Sequence, residues 1–403
     1  MHKELRAAFN RAYTDDLYAR YRKILNDSVG PFPFRVAETP LFLDERLRKH
    51  LQSAALEIVA QLSAPAKFEK MRKAIPPHYD APGMSALPDC VQIDFGLCKG
   101  SAGEIVGRVV ELQAFPSLSA MEIVQADAWH AVFRTIPEMN AEYTCFFSND
   151  REDAMQLLRG CVLGACGAEE TVLVDIEPET QKTAPDFRAT KKLLGIDSIC
   201  VSAIKKEGRT LLRDKGGRWI PIRRIYNRLV FDELERRKIE PPWKWTDDLD
   251  VTWCSHPNWY WVWSKFSLPH VDHECVPKAH YVSDLTTTPD DLENWVLKPL
   301  FSFAGSGVVI DVTKEAIDSI SAERRPQYLL QRKVEYAHAI QAPDGAGVKA
   351  EVRVMMLRRG KGKPLEPLLP LVRLSRGKML GVDQNRSAES LWTGGAVGIW
   401  ALG

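Results

Sequence analysis

The chain has 403 residues, with 54 Lys and Arg against 53 Asp and Glu, and 45% of it is hydrophobic. At roughly 100–200 residues per domain, that length predicts two or three domains whose cores fold without disulfide or metal staples. A net charge of +1 excludes bulk electrostatic binding to nucleic acid or to an anionic membrane, so any polyanion must be gripped locally.

Met1 to Lys23 mixes charges where a signal peptide would be apolar, and no window approaches the roughly eighteen apolar residues of a membrane span. The eight cysteines are scattered without a CxxC pair, which predicts reduced thiols and a cytoplasmic location.

In chain order, the first 65 residues read as helical, for example Asp44 to Leu62, where Leu47, Leu51, Ala54, Leu56, Ile58, Val59 and Leu62 fall mainly on one face. Val91 to Phe95 and Val106 to Leu112 read as an antiparallel pair joined by a Gly-containing turn, followed by a helix over Ser119 to Arg134. Val172 to Ile176, Asp186 to Leu194 and Ile199 to Val201 then form a strand, helix and strand, the mark of a parallel sheet. A charged hairpin, Thr210 to Ile222, leads into a polar helix, Phe231 to Lys238.

Six of the eleven tryptophans lie between Trp243 and Trp263. With only Lys244 and Lys265 nearby, an aromatic core is the better reading than a base-stacking platform. From Asp290 onward strands dominate: Trp295 to Lys298, Gly307 to Val312, Tyr328 to Val334, Val348 to Leu357 and Leu368 to Arg373, with one helix at Lys314 to Ile320. This predicts an α+β lobe that lays an antiparallel sheet over a ligand.

Two segments can carry chemistry. In the first, a strand presents Lys298 and is followed by a loop of small residues, Ser302, Ala304, Gly305, Ser306 and Gly307. Backbone N–H groups of such a loop can close on phosphate oxygens while the lysine supplies a fixed charge, although a glycine hairpin with an incidental lysine has the same pattern. The loop is neither a Walker A motif nor a dinucleotide fingerprint. In the second, Asp94 lies on one strand while Glu111 and Gln113 lie two apart on the next. Oxygen donors converging from neighbouring strands suit Mg²⁺ beside nucleotide phosphates, and an ordinary half-exposed strand also fits.

The lysine strand and loop resemble the nucleotide-binding lobe of ATP-grasp ligases, and Tyr328 to Glu335 resembles its inter-lobe hinge. Val109 to Glu122, with Asp94 before it, resembles the metal-binding segment of glutathionylspermidine synthase-like proteins, in which the ATP-grasp elements are circularly permuted. The metal motif precedes the lysine loop here too.

The resemblance implies a permuted ATP-grasp fold of mixed α+β and α/β class, with nucleotide between two α+β lobes. Its expected parts are a helical region over 1–88, a metal-bearing core over 89–165, a βαβ unit over 166–240 and a nucleotide lobe over 241–403. It also implies ATP and Mg²⁺ as cofactors and an amide bond formed between a carboxylate and an amine or amino acid through an acyl phosphate. The partners are then small-molecule or peptide substrates, with no nucleic acid and no membrane.

By the same resemblance, Asp94, Glu111 and Gln113 would hold Mg²⁺ and Lys298, Ser302, Gly305, Ser306 and Gly307 would hold phosphates. Gln331, Arg332 and Val334 would meet adenine, and Arg353 and Arg373 would attend the transferred phosphoryl group, with Arg376 and Arg386 as further candidates. Lys265 or Lys278 would be the additional ATP-contacting lysine.

The chain departs from that family in three ways: Gln113 replaces an asparagine, Gln92 stands in the place of an arginine, and no N-terminal Cys/His amidase domain is present. Two other readings remain, a nucleotide-binding protein without ligase activity and a Trp-rich glycan- or peptide-binding module. His270, Asp272, His273, Cys275 and His280 are zinc-type residues without HExxH spacing and read as a Pro-flanked loop; Arg358 to Lys363 reads as a solvated hairpin turn.

Overall fold

The structure is a computed structural model that describes residues 1–302, 305–377, 380 and 391–402. Its main sheet runs in the order Leu41–Phe42, Gly394–Ala401, Leu365–Ser375, Gly347–Arg358, Cys90–Lys99 and Ile105–Gln113, with Tyr143–Thr144 and His338–Gln341 paired at its margins. Strands from both ends of the sequence therefore interleave, since Cys90–Lys99 pairs with Ile105–Gln113 on one side and with Gly347–Arg358 on the other. Both ladders are antiparallel, so directly paired residues lie on the same face.

That rule divides the sheet. Ile93, Phe95, Leu97, Val352 and Val354 are fully buried on one face, and Leu51 of the helix Glu45–Leu62 lies against Phe95 and Gly107 on that side. Asp44 caps this helix, its Oδ1 accepting the Leu47 N–H at 2.8 Å. The opposite face carries Gln92, Asp94, Glu111, Gln113, Glu351, Arg353 and Arg373.

The expected βαβ unit is present. Thr171–Asp175, the helix Ala184–Leu194 and Asp197–Cys200 lead into a four-stranded parallel sheet completed by Arg224–Asn227 and Thr252–Cys254. Its spatial order places Thr171–Asp175 between Asp197–Cys200 and Arg224–Asn227. The chain thus leaves the central strand to one side and returns on the other. The carboxyl ends of the two strands at that switch, around Asp175 and Arg228, form the crevice where open α/β sheets place ligands.

A third sheet, Ala279–Tyr281, Tyr328–Arg332 and Trp295–Pro299, carries the lysine strand. Gly307 to Val312 is not the strand expected from its apolar residues. Gly305 and Gly307 turn through φ of 73° and 72°, and the returning chain meets the lysine strand only at the bridge between Leu297 and Val309. The helix that follows is Lys314–Asp318.

Five of the six tryptophans between 243 and 263 are core: Trp243, Trp245, Trp259, Trp261 and Trp263 are buried, with Trp259 and Trp263 in edge contact at 5.4 Å, while Trp253 is half-buried. Among the described residues, no helix is long and apolar enough to cross a membrane.

Candidate functional site

The polar face of the main sheet is one wall of a cavity of about 850 Å³. The lysine strand, the segment 331–336 and the switch point of the parallel sheet supply the others. Its centre is a cross-strand row, because Glu111 pairs with Asp94 and Asp94 with Arg353, while Glu351 and Arg373 form the next row. Arg353 grips Asp94 with two bonds, Nε to Oδ1 at 2.6 Å and Nη2 to Oδ2 at 2.8 Å. Its Nη1 donates to Ser117 Oγ at 3.0 Å. Arg373 donates to both Asp94 and Glu351, and the Tyr336 hydroxyl donates to Glu351 Oε2 at 2.8 Å.

Burial alone would raise the Asp94 carboxyl, but the guanidiniums of Arg353 and Arg373 outweigh it and hold Asp94 down to about 2. Asp94 is thus a permanent anion that positions two cations. Gly96, two residues on, makes room for the chain crossing above, since a Cβ there would lie 2.7 Å from the Tyr336 ring and 2.8 Å from Val334.

The lysines are positioned by a β-bulge. Asp94 pairs with Glu111 but Phe95 pairs with Val109, which leaves Val110 outside the ladder. The freed Val110 carbonyl accepts from Lys298 Nζ at 2.8 Å, and Gln331 Oε1 accepts from the same amine at 2.7 Å. Gln331 in turn donates to the Val109 carbonyl at 3.2 Å. Both Lys298 partners are neutral, and burial pulls its amine from 10.5 down to about 8. Lys265 donates to Glu111 Oε1 at 3.0 Å and to the Ser302 carbonyl at 2.6 Å. Burial opposes ionisation of Glu111, yet the charge of Lys265 keeps that carboxyl below its usual range.

Of the two candidate lysines, Lys265 is buried against the cavity, whereas Lys278 is exposed. Gly305 lines the cavity and Ser306 is exposed. The Arg332 guanidinium turns to Asp291 at 2.5 Å and over the Trp295 ring, leaving its backbone and that of Val334 as the adenine-facing candidates. Arg376 pairs with Asp344 at 2.8 Å away from the cavity lining, and Ala304 and Arg386 lie outside the described residues.

Several cavity groups escape the motif reading. Glu351 could have been found as the residue two before Arg353, hence on the same face. Glu122 is the buried acid of the apolar helix Ser119–Phe133, whose other acid, Asp127, is exposed; its Oε1 accepts from Gln125 at 2.9 Å, while its buried Oε2 has no hydrogen-bond partner among the described residues. Burial, reinforced by the charge of Asp186, pushes its carboxyl well above the usual carboxylate range. At the switch point, burial raises Asp175 to about 7. Arg228 pairs with Asp186 at 2.7 Å, and Asp186 accepts the Met121 N–H at 3.0 Å. This pair ties the parallel sheet to the helix beside the polar row.

The zinc-type loop does not converge on itself. His270 meets the Tyr281 hydroxyl at 3.1 Å and His273 meets Glu57 at 3.2 Å.

These residues fit a polyphosphate and its cation. Four basic groups, Lys265, Lys298, Arg353 and Arg373, line one cavity with Glu111 and Glu351, Asp94 lies behind the two guanidiniums, and among the described residues the buried Lys298 amine bonds only neutral acceptors. Glu111 and Gln113 line the same wall as hard oxygen donors. Both Asp94 oxygens are engaged by guanidiniums.

No family model and no curated protein sequence matches the chain. Among solved structures, a glutathione synthetase-like effector from Globodera pallida, determined in its apo form, matches at 11% identity with a TM-score of 0.56. The match covers 89% of this chain and 93% of the effector. The chain therefore has a mixed α+β fold like that of a glutathione synthetase-like protein.

Proposed function

We propose that this cavity is the site of an ATP- and Mg²⁺-dependent ligase joining a carboxylate to an amine, built as a circularly permuted ATP-grasp. The observation that carries the proposal is Lys298, a buried cation held by two neutral acceptors above a row of alternating carboxylates and guanidiniums. A nucleotide phosphate would give this lysine an anionic hydrogen-bond partner in place of its neutral ones.

Lys298 and Lys265 fix phosphate oxygens, and Arg353 and Arg373, aimed by Asp94 and Glu351, neutralise charge on the transferred group. Glu111 and Gln113 would hold Mg²⁺, which supplies further charge neutralisation when bound. Asp94 serves to set the guanidiniums, since they engage both of its oxygens.

In the first step the substrate carboxylate attacks the γ-phosphorus of ATP, giving an acyl phosphate and ADP. In the second, the amine attacks the acyl carbon, the C–N bond forms, phosphate leaves, and the amine gives up a proton. Asp175, with a carboxyl near 7 and a place on the cavity wall, is suited to accept that proton.

A nucleotide-binding protein without turnover is the second reading, favoured by the closure of Asp94 against two guanidiniums. The buried indoles do not favour a glycan- or peptide-binding platform.

Screening amino acids, small peptides and polyamines for ADP release separates the first two readings. The ligase reading expects release that requires Mg²⁺ together with a carboxylate and an amine, and a loss of roughly 100-fold or more in Glu111→Ala. ATP binding without release across the whole pool would favour the second, and equal release by wild type and Glu111→Ala would overturn the metal assignment.

A further inference from the structure

Three cysteines that are far apart in sequence meet in the core. Cys90 starts the strand Cys90–Lys99, Cys161 lies on the helix Arg151–Leu163, and Cys254 ends the strand Thr252–Cys254. Their sulfurs form a nearly equilateral triangle: Cys90 to Cys161 3.6 Å, Cys161 to Cys254 3.6 Å, Cys90 to Cys254 3.9 Å. All three thiols are free and almost wholly shielded from solvent.

We propose that Cys90, Cys161 and Cys254 form a structural Zn²⁺ site. Tetrahedral Zn²⁺ binds thiolates at about 2.3 Å, which sets its sulfur-to-sulfur edges at about 3.8 Å. The three separations bracket that edge, and no disulfide can satisfy all three sulfurs.

The surroundings suit the charge. One Zn²⁺ with three thiolates carries a net −1, and the Arg224 guanidinium lies alongside, donating to the Cys161 carbonyl at 2.6 Å and the Val162 carbonyl at 2.8 Å. Those bonds also fix the end of the helix that presents Cys161. The Cys161 sulfur sits 3.3 Å from the Asp89 carbonyl. That carbonyl, on the residue preceding Cys90, is the oxygen donor offered to the fourth position, while the Asp89 carboxylate accepts from Arg358 at 2.8 Å.

Binding breaks three S–H bonds and releases their protons to solvent as three Zn–S bonds form; no oxidant or reductant is needed. Because the sulfurs are buried, loading accompanies folding. The metal would then staple the main sheet, the helix Arg151–Leu163 and the edge of the parallel sheet, and it would anchor the strand that carries Asp94.

The test is metal analysis of the whole chain expressed with Zn²⁺ and purified under reducing conditions without chelator, together with refolding in Co²⁺. One zinc per chain and the near-ultraviolet thiolate-to-Co²⁺ absorption are expected in the wild type and in Cys166→Ser, a control outside the triangle. Both signals are lost in Cys161→Ser and in Cys254→Ser. The proposal is overturned if reduced wild type refolded with either ion retains no metal. It is equally overturned if the zinc persists in both variants, which would assign it to another group such as His50, Glu274 and Cys275.

Discussion

Asp94→Ala is expected to cost about 3–5 kcal/mol of folding stability, measured by denaturant unfolding, because it leaves two guanidiniums in the core without their shared anion. Arg353 would lose both bonds of its bidentate grip, and Arg373 would keep only Glu351. Removing both charges together is a different experiment. Asp94→Leu with Arg353→Met should recover most of the loss, since a well-packed apolar pair avoids the desolvation of two ions. An additive double variant would mean that the pair is not coupled.

The same carboxyl sets a pH window. Its value falls from 3.8 to about 2 in the folded chain, so its contribution is complete above about pH 3.8 and is lost as pH falls through 2. Acid unfolding of wild type below pH 4 should therefore be steeper than that of the Asp94→Leu/Arg353→Met variant.

Lys298→Met is expected to weaken ATP binding roughly 10- to 100-fold, the worth of charge-assisted bonds from one ammonium to phosphate. The apo protein should unfold within a few degrees of wild type. Two hydrogen bonds are lost, to Val110 and Gln331, but the cost of burying a cation is relieved at the same time. A lysine brought down to about 8 also makes binding pH-dependent. Nucleotide affinity should fall as pH rises through about 8, where the free protein loses the Lys298 proton, and that dependence should vanish in Lys298→Met. An affinity unchanged by the substitution would remove Lys298 from the site.

The elements that could be read from the sequence are those whose patterning is local. The apolar face of Glu45–Leu62, the strand–helix–strand of 171–200 and the paired strands around Asp94 and Glu111 each carry their period within single elements that are neighbours in sequence. Glu111 and Gln113 share a face because they are two apart on one strand, and the bulge at Val110 does not disturb that relation. The bulge itself, which turns the Val110 carbonyl toward Lys298, leaves no mark in composition.

The return of 307–312 was legible only as apolar residues, and two left-handed glycines reduce it to a single bridge. Pairings across the chain were out of reach by pattern. Asp94 and Arg353 are 259 residues apart, and Cys90 meets Cys254 across 164. Only the interleaving of strands from both ends of the sequence brings them together. Glu122 and Asp175 were hidden for a related reason, because a lone acid acquires chemical meaning only from the cavity it faces.

The most direct test of the central claim, that this cavity is built for Mg-nucleotide, is calorimetric titration of ATP into wild type, Lys298→Met and Glu111→Ala, each with and without Mg²⁺. The site geometry predicts one nucleotide per wild-type chain, tighter with Mg²⁺, with affinity reduced in Lys298→Met under both conditions and the Mg²⁺ enhancement abolished in Glu111→Ala. Absence of ATP binding to wild type, or binding that neither substitution alters, would contradict it.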